Sequence, residues 1–187
     1  MASNRHLGRI VALQTLYELD FRVEVAGKDV DRTAILERNV ARYSEVVGDK
    51  EFVERLVTGV LSDIKELDAF IQPLAPEWPL NQIARIDKII LRMGVWELKY
   101  TKEVPVKVVI NEAVELAKGF GADNSSKFVN GVLGTAARNL GVVTGKDAVK
   151  PRKSPADSKK SKKNTENEKT AKSTAKTKTP VADKETA

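Results

Sequence analysis

The chain reads as an all-α protein. Apolar residues recur at three- and four-residue intervals through most of residues 4–141. No hairpin signal, and no clear strand alternation, interrupts them. Three prolines, Pro73, Pro76 and Pro79, punctuate one long joint between the periodic runs.

Each element follows from its own pattern. A first helix is predicted from about Asn4 to Arg22, with Leu7, Ile10, Val11, Gln14, Tyr17 and Phe21 on one stripe. A second, less regular helix runs from about Asp31 to Val47 and turns Ile35, Leu36, Val40 and Tyr43 inward. The clearest periodicity joins Phe52, Val53, Leu56, Val57, Val60, Leu61, Ile64, Leu67 and Ile71. After the proline loop, LNQIARIDKIILRMGVWELKYT is apolar on more than one side, as a central and heavily buried helix must be. A break near Arg85–Asp87 would split off a short leading helix. Val104 to Ile110 is β-branched and has strand propensity. Ile110, Ala113, Val114, Ala117 and Phe120 nevertheless continue at helical spacing, and Pro105 suits a first helical position, so this stretch is read as helix.

FGADNSSKFVNGVLG then spells a helix stop, a polar turn and a helix start. Gly121 is expected to end one helix in the left-handed region, and Asn124 or Ser125 to cap the next. The last helix spans about Ser125 to Asn139 and buries Phe128 or Val129, then Val132, Leu133, Ala136, Ala137 and Leu140. Gly131 and Gly134 inside it each cost about 1 kcal/mol relative to Ala, which points to a close backbone approach there. The count is six to seven helices.

Charge divides the chain. From Lys146 onward there are 13 basic and 6 acidic residues, net +7; residues 1–145 hold 19 basic and 20 acidic, net −1. That C-terminal stretch has no Leu, Ile, Met, Phe, Trp or Tyr, so it cannot bury enough apolar surface to offset chain entropy. The expected organisation is a helical domain over 1–141 and a disordered, Lys-rich tail over 142–187. There is no cysteine and one histidine, which excludes disulfides, thiolate metal sites and His-based ones. No membrane span or signal peptide is legible, and the expectation is a soluble cytoplasmic protein without a cofactor.

No catalytic signature is present: no phosphate-binding loop, zinc pattern or serine elbow. The expectation is a non-enzyme. The acidic pairs Glu112/Glu115 and Asp63/Glu66 read as solvated helix faces. Arg92 and Glu97 read as an internal ion pair, and Trp78 as a loop plug on the core. Arg5, His6 and Arg9 cluster at the first helix's start, where positive charge opposes the helix dipole. The cluster is either incidental or waits for an external anion, phosphate first.

RHLGRIVALQTLYELDF, IDKIILRMGVWELKY and VPVKVVINEAVELAKGFGADNSSKFVNGVLG together resemble the NusB family, over roughly residues 4–141. The most specific part is Pro105, Ile110-Asn111-Glu112-Ala113, Ala117-Lys118, Phe120-Gly121 and Lys127-Phe128-Val129-Asn130-Gly131. The resemblance implies two packed helical bundles and an RNA-binding transcription antitermination factor. Its implied partners are boxA-type single-stranded RNA of rRNA leader transcripts, the small-subunit ribosomal protein NusE and the RNA polymerase antitermination complex. It implies an RNA face in which Arg5, His6 and Arg9 lie beside Asn124, Ser125, Lys127 and Phe128. Cations would track phosphates there, and the Phe128 ring would stack a base. The bland reading of Phe128 is a core plug. Tyr17, Asp87 and Lys88 are the implied contacts to NusE. The sequence departs from many family members at SNRHLGR, where Leu7 and Gly8 interrupt what is elsewhere a run of arginines. Two other readings stay open: an RNA-recognition module related to rRNA cytosine methyltransferases, and a helical adaptor that binds only protein.

Overall fold

A computed structural model describes residues 4–27, 30–45 and 47–142. The tail expected over 142–187 lies, but for Val142, outside these residues. The described residues form seven α-helices and one 3-10 turn, with no strand. They are α1 (Asn4–Ala26), α2 (Arg32–Arg42), α3 (Lys50–Ser62), α4 (Ile64–Ile71), the 3-10 turn Gln72–Leu74, α5 (Arg85–Tyr100), α6 (Val106–Phe120) and α7 (Ser125–Asn139). None of them is long and apolar enough to cross a membrane.

Local chemistry sets most boundaries. Asp31 and Asp49 each accept the backbone N–H of the third residue of the following helix, from Ala34 and Phe52, both at 3.0 Å. Gly27 and Gly141 take positive φ where α1 and α7 end. The long third run is two helices: the chain turns at Asp63, which ends α3 and starts α4. Apolar periodicity continues across this joint because both helices bury the same side, so the pattern alone does not reveal it. Residues 80–84 are turns, not a leading helix. The Val104–Ile110 stretch is helical from Val106, with Pro105 directly before it.

Two groups of helices share one core. α1, α2 and α3 pack on one another, α5, α6 and α7 pack on one another, and α4 lies against α5. The central element is α5, buried from Ile89 to Leu98 without a gap, and it touches both groups. Its Trp96 ring lies against Gly59 of α3, where any Cβ would fall 2.3 Å from the indole. Only glycine admits that crossing.

The α1 stripe differs from the expected one. Gly8, Val11, Ala12, Thr15, Leu16 and Leu19 face inward, while Gln14, Tyr17 and Phe21 are exposed. Small residues let α1 approach α3 and α5 closely, so its bulky aromatic rings are left outside. Gly131 and Gly134 also differ from expectation: no heavy atom lies near the first, and only the Arg138 tip lies near the second. Neither marks a close approach.

Candidate nucleic-acid interface

The entrance of α1 is internally neutralised. Arg9 is only 2 % exposed. Its guanidinium grips Glu97 of α5 with both arms, Nε to Oε1 at 2.9 Å and Nη2 to Oε2 at 2.6 Å, and lies over the Phe52 ring at 5.2 Å. A buried charge must be paired in this way. Arg9, expected to meet phosphate, is therefore a core residue whose charge is already paired. The same pair replaces the expected Arg92–Glu97 bridge. Five residues apart on one helix, those two side chains diverge by about 140°. Arg92 instead binds Asp68 at 2.7 and 2.8 Å. His6 Nδ1 meets Glu112 Oε2 at 2.8 Å, so Glu112 is not a solvated face. Arg5 is half-buried, 3.6 Å from Asp49 and 5.4 Å from the centre of the Phe52 ring.

The polar turn before α7 sits elsewhere. Ser125 is 3 % exposed; its Oγ donates to Asp87 Oδ2 at 2.8 Å and accepts the Ala122 N–H at 2.9 Å. It locks the turn to the start of α5, so this expected RNA contact has its hydroxyl already engaged inside the fold. Gly121 stops α6 in extended backbone, not in the left-handed region. Glycine is needed there for space: a Cβ would fall 2.5 Å from that of Ser125 and 2.7 Å from the Ala117 carbonyl. Asp87, expected to meet NusE, is only 7 % exposed and lies at the start of α5. Burial raises its carboxyl above the ordinary 3.8, against the opposing hydrogen bond from Ser125. Its Oδ1 has no hydrogen-bond partner.

Asn124 and Lys127 are exposed, and Phe128 is half-buried. An open cleft of about 670 Å³ lies here, lined by Trp78, Gln82, Ile83, Ala84, Asp87, Asn124 and Phe128 among others. Trp78 is 54 % exposed and lines this cleft; it does not plug the core. The expected RNA face thus divides in two. The turn is tied to Asp87 and the basic cluster to Glu97, about 15 Å apart along α5.

A third surface adjoins the cleft. Tyr17, Phe21 and Phe120 are all exposed, and the Arg85 guanidinium lies over the first two rings at 5.7 and 5.5 Å. Asp20, at 3.1 Å, and Glu24 hold that guanidinium in place. Lys88, half-buried, lines the neighbouring groove with Asn81 and Glu24. Sequence reasoning placed Phe21 and Phe120 in the core and overlooked Arg85. The available signal was the polar company of Tyr17 and Phe21: Gln14, Glu18, Arg22 and Glu24 surround them on the same helix. Among the described residues no group of acidic and histidine side chains could hold a metal ion.

Residues 6–138 match the NusB family, which is most of the chain and all of its helices but the ends of α1 and α7. The chain belongs to the NusB family. It is 46 % identical over 137 residues to the transcription antitermination protein NusB of Chloroflexus aggregans, covering 72 % of this chain and 87 % of that one. The NusB protein of Roseiflexus castenholzii is 44 % identical over the same length, with 72 % and 92 % covered. Among solved structures, T. maritima NusB superposes with a TM-score of 0.64 at 32 % identity, covering 74 % of this chain and 93 % of that one. A crystal structure of antitermination factors NusB and NusE in complex with dsRNA has the same fold, with a TM-score of 0.63 at 24 % identity over 74 % and 99 %. The NusB match takes in the cleft and the aromatic surface and stops short of the basic tail.

Proposed function

We propose that this chain is an RNA-binding transcription antitermination factor. It binds boxA-type RNA of rRNA leader transcripts jointly with NusE and promotes read-through by RNA polymerase. Membership of the NusB family and the names of its relatives support the class of function. The observation that carries joint binding is that two different surfaces share an edge. Ala84 lines both the Trp78–Phe128 cleft and the groove of Tyr17, Arg85 and Phe120. The cleft, lined by Asn124 and Phe128 with exposed Lys127 next to them in sequence at the helix start, suits single-stranded RNA: a ring for a base, free N–H groups, a cation for phosphate. The aromatic groove around Arg85 suits a protein, since aromatic rings and Arg are the side chains that anchor interfaces. Tyr17, Phe21, Phe120 and Lys88 would meet NusE there. RNA and protein bound side by side would touch each other across Ala84.

The test is to titrate the protein with boxA RNA, alone and with NusE. Cooperative binding is expected, with Tyr17→Ala weakening the gain from NusE and leaving RNA binding by the protein alone unchanged. If NusE adds nothing to RNA affinity, joint binding is wrong.

A further inference from the structure

The far end of α5 carries a groove that neither the cleft nor the aromatic surface uses. It holds about 330 Å³ and is lined by Arg55, Gly59, Asp63, Trp96, Tyr100 and Glu103. Trp96 follows Asp87 by nine residues, about 14 Å along the helix axis. Its side chain is fixed by burial, at only 7 % exposed. Among the described residues no acceptor meets its indole Nε1, and the one unpartnered polar atom sealed from solvent is Asp87 Oδ1. Nε1 therefore stays open. Its edge of the ring is the one nearest Gly59, which has no side chain to cover it. Tyr100, 47 % exposed, continues the surface with its ring 5.4 Å from that of Trp96 and inclined at 45°. Arg55 and Glu103 pair at 3.5 Å. Asp63 starts α4 without a side-chain capping bond, so its carboxylate is not spent on the helix. The groove thus offers a fixed ring with an open donor, a second ring, and one carboxylate more than its guanidinium neutralises.

We propose that this groove binds a proline-rich segment of another protein, an extended strand with a Lys or Arg beside its prolines. Proline brings a carbonyl acceptor and no N–H, so a strand rich in it is held by donors and aromatic faces. Such a strand is already extended before it binds, and little ordering entropy opposes docking. The Trp96 N–H takes a carbonyl, the exposed Tyr100 ring takes a pyrrolidine, and Asp63 takes the cation, since Glu103 is engaged by Arg55. The charge of the groove disfavours RNA, whose phosphates would meet two carboxylates and a single guanidinium that is already paired. A helical partner has its backbone carbonyls committed within itself and would leave the Trp96 donor unmatched. The groove lies at the opposite end of α5 from the surfaces assigned to RNA and NusE, so this assignment stands apart from that reading.

Trp96 is its own reporter. The chain has two tryptophans, hence two indole N–H signals in a proton–nitrogen correlation spectrum, told apart with a Trp78→Phe variant. The isotope-labelled full chain is titrated with three synthetic decapeptides. One is proline-rich with a terminal arginine, one has glutamate in place of that arginine, and one keeps the arginine but has alanine for every proline. The first is expected to shift the Trp96 signal saturably and to leave that of Trp78 in place. The glutamate peptide should bind about two- to five-fold more weakly, the value of an exposed ion pair. The alanine peptide should give no saturable shift. Asp63→Asn should remove most of the difference between arginine and glutamate. Tyr100→Ala, at an exposed position, should weaken the first peptide about five-fold or more, as loss of an interface anchor does. An equal response to the alanine peptide, or a shift of Trp78 in place of Trp96, overturns the assignment. So does a saturable shift that is unchanged in folded Tyr100→Ala protein. A Trp96 shift produced by hexauridylate and by none of the peptides would give the groove to RNA and overturn the proposal as well.

Discussion

The Arg9 guanidinium and the Asp87 carboxyl are both buried charges, and they behave in opposite ways. Arg9 is fully compensated by Glu97 and capped by Phe52. Removing one partner leaves the other buried and unpaired, so Arg9→Ala is expected to cost ~3–5 kcal/mol in denaturant unfolding. The salt dependence of RNA binding should not change, because this guanidinium is already engaged by Glu97 inside the fold. A lower salt slope in a fully stable variant would return Arg9 to the surface. Asp87 is only half compensated, through Ser125. Its folded pKa is raised, so the unfolded chain releases its proton first as pH climbs. Ionisation therefore withholds stability above the ordinary carboxyl range and has no effect below it. Asp87→Asn keeps an acceptor for Ser125 and removes that penalty. The melting temperature of the variant relative to the parent should rise between pH 3.5 and pH 7; a flat difference would mean the carboxyl is not shifted.

At the scale of elements, glycine separates packing from permissiveness. Gly121 joins α6 to α7 with no room for a methyl group, between Ser125 and the Ala117 carbonyl. Gly121→Ala should destabilise by ~1–3 kcal/mol, the cost of overpacking, and loosen the turn that carries Asn124 and Phe128. Gly131 lies on the exposed face of α7 with nothing near it. Gly131→Ala should stabilise by about 0.5–1 kcal/mol, since only helix propensity changes. Thermal melts of the two variants should move in opposite directions. A loss in both would show that Gly131 faces a neighbour after all. The central helix α5 ties these effects to function: Asp87 at its start anchors the turn, and Glu97 near its end anchors α1.

For the whole molecule, the charge division between residues 1–145 and 146–187 has consequences that composition alone predicts. The C-terminal segment, net +7, has no large apolar residue with which to pack. Ending the chain after residue 145 should shift thermal melts by no more than a few degrees. It should weaken binding to boxA and to unrelated RNA alike at low salt, by counterion release lost with the cations. That difference should shrink steeply as salt rises, while discrimination between the two RNAs stays the same or improves. Equal affinities for the full and shortened chains at low salt would reduce the segment to a spacer.

Periodicity determined a good deal by itself. It established the helical class, the burial of α5 on several sides and the limits of α7 at Ser125 and Asn139, because each rests on neighbours within a few residues of one another. Family resemblance, carried by motifs such as KFVNG, also needs no folding to be legible. Only the tertiary structure decided which cations and carboxylates are spent inside the fold. Arg9 and Glu97 stand 88 positions apart, Asp87 and Ser125 stand 38 apart, and nothing local marks either pair. It likewise turned the small residues of α1 inward and its aromatic rings outward, since the closest approach of two helices is set by both surfaces together. A hydrophobic pattern records that a side chain is apolar. Whether that side chain meets a neighbouring helix, a partner or a base depends on what the rest of the chain brings opposite it.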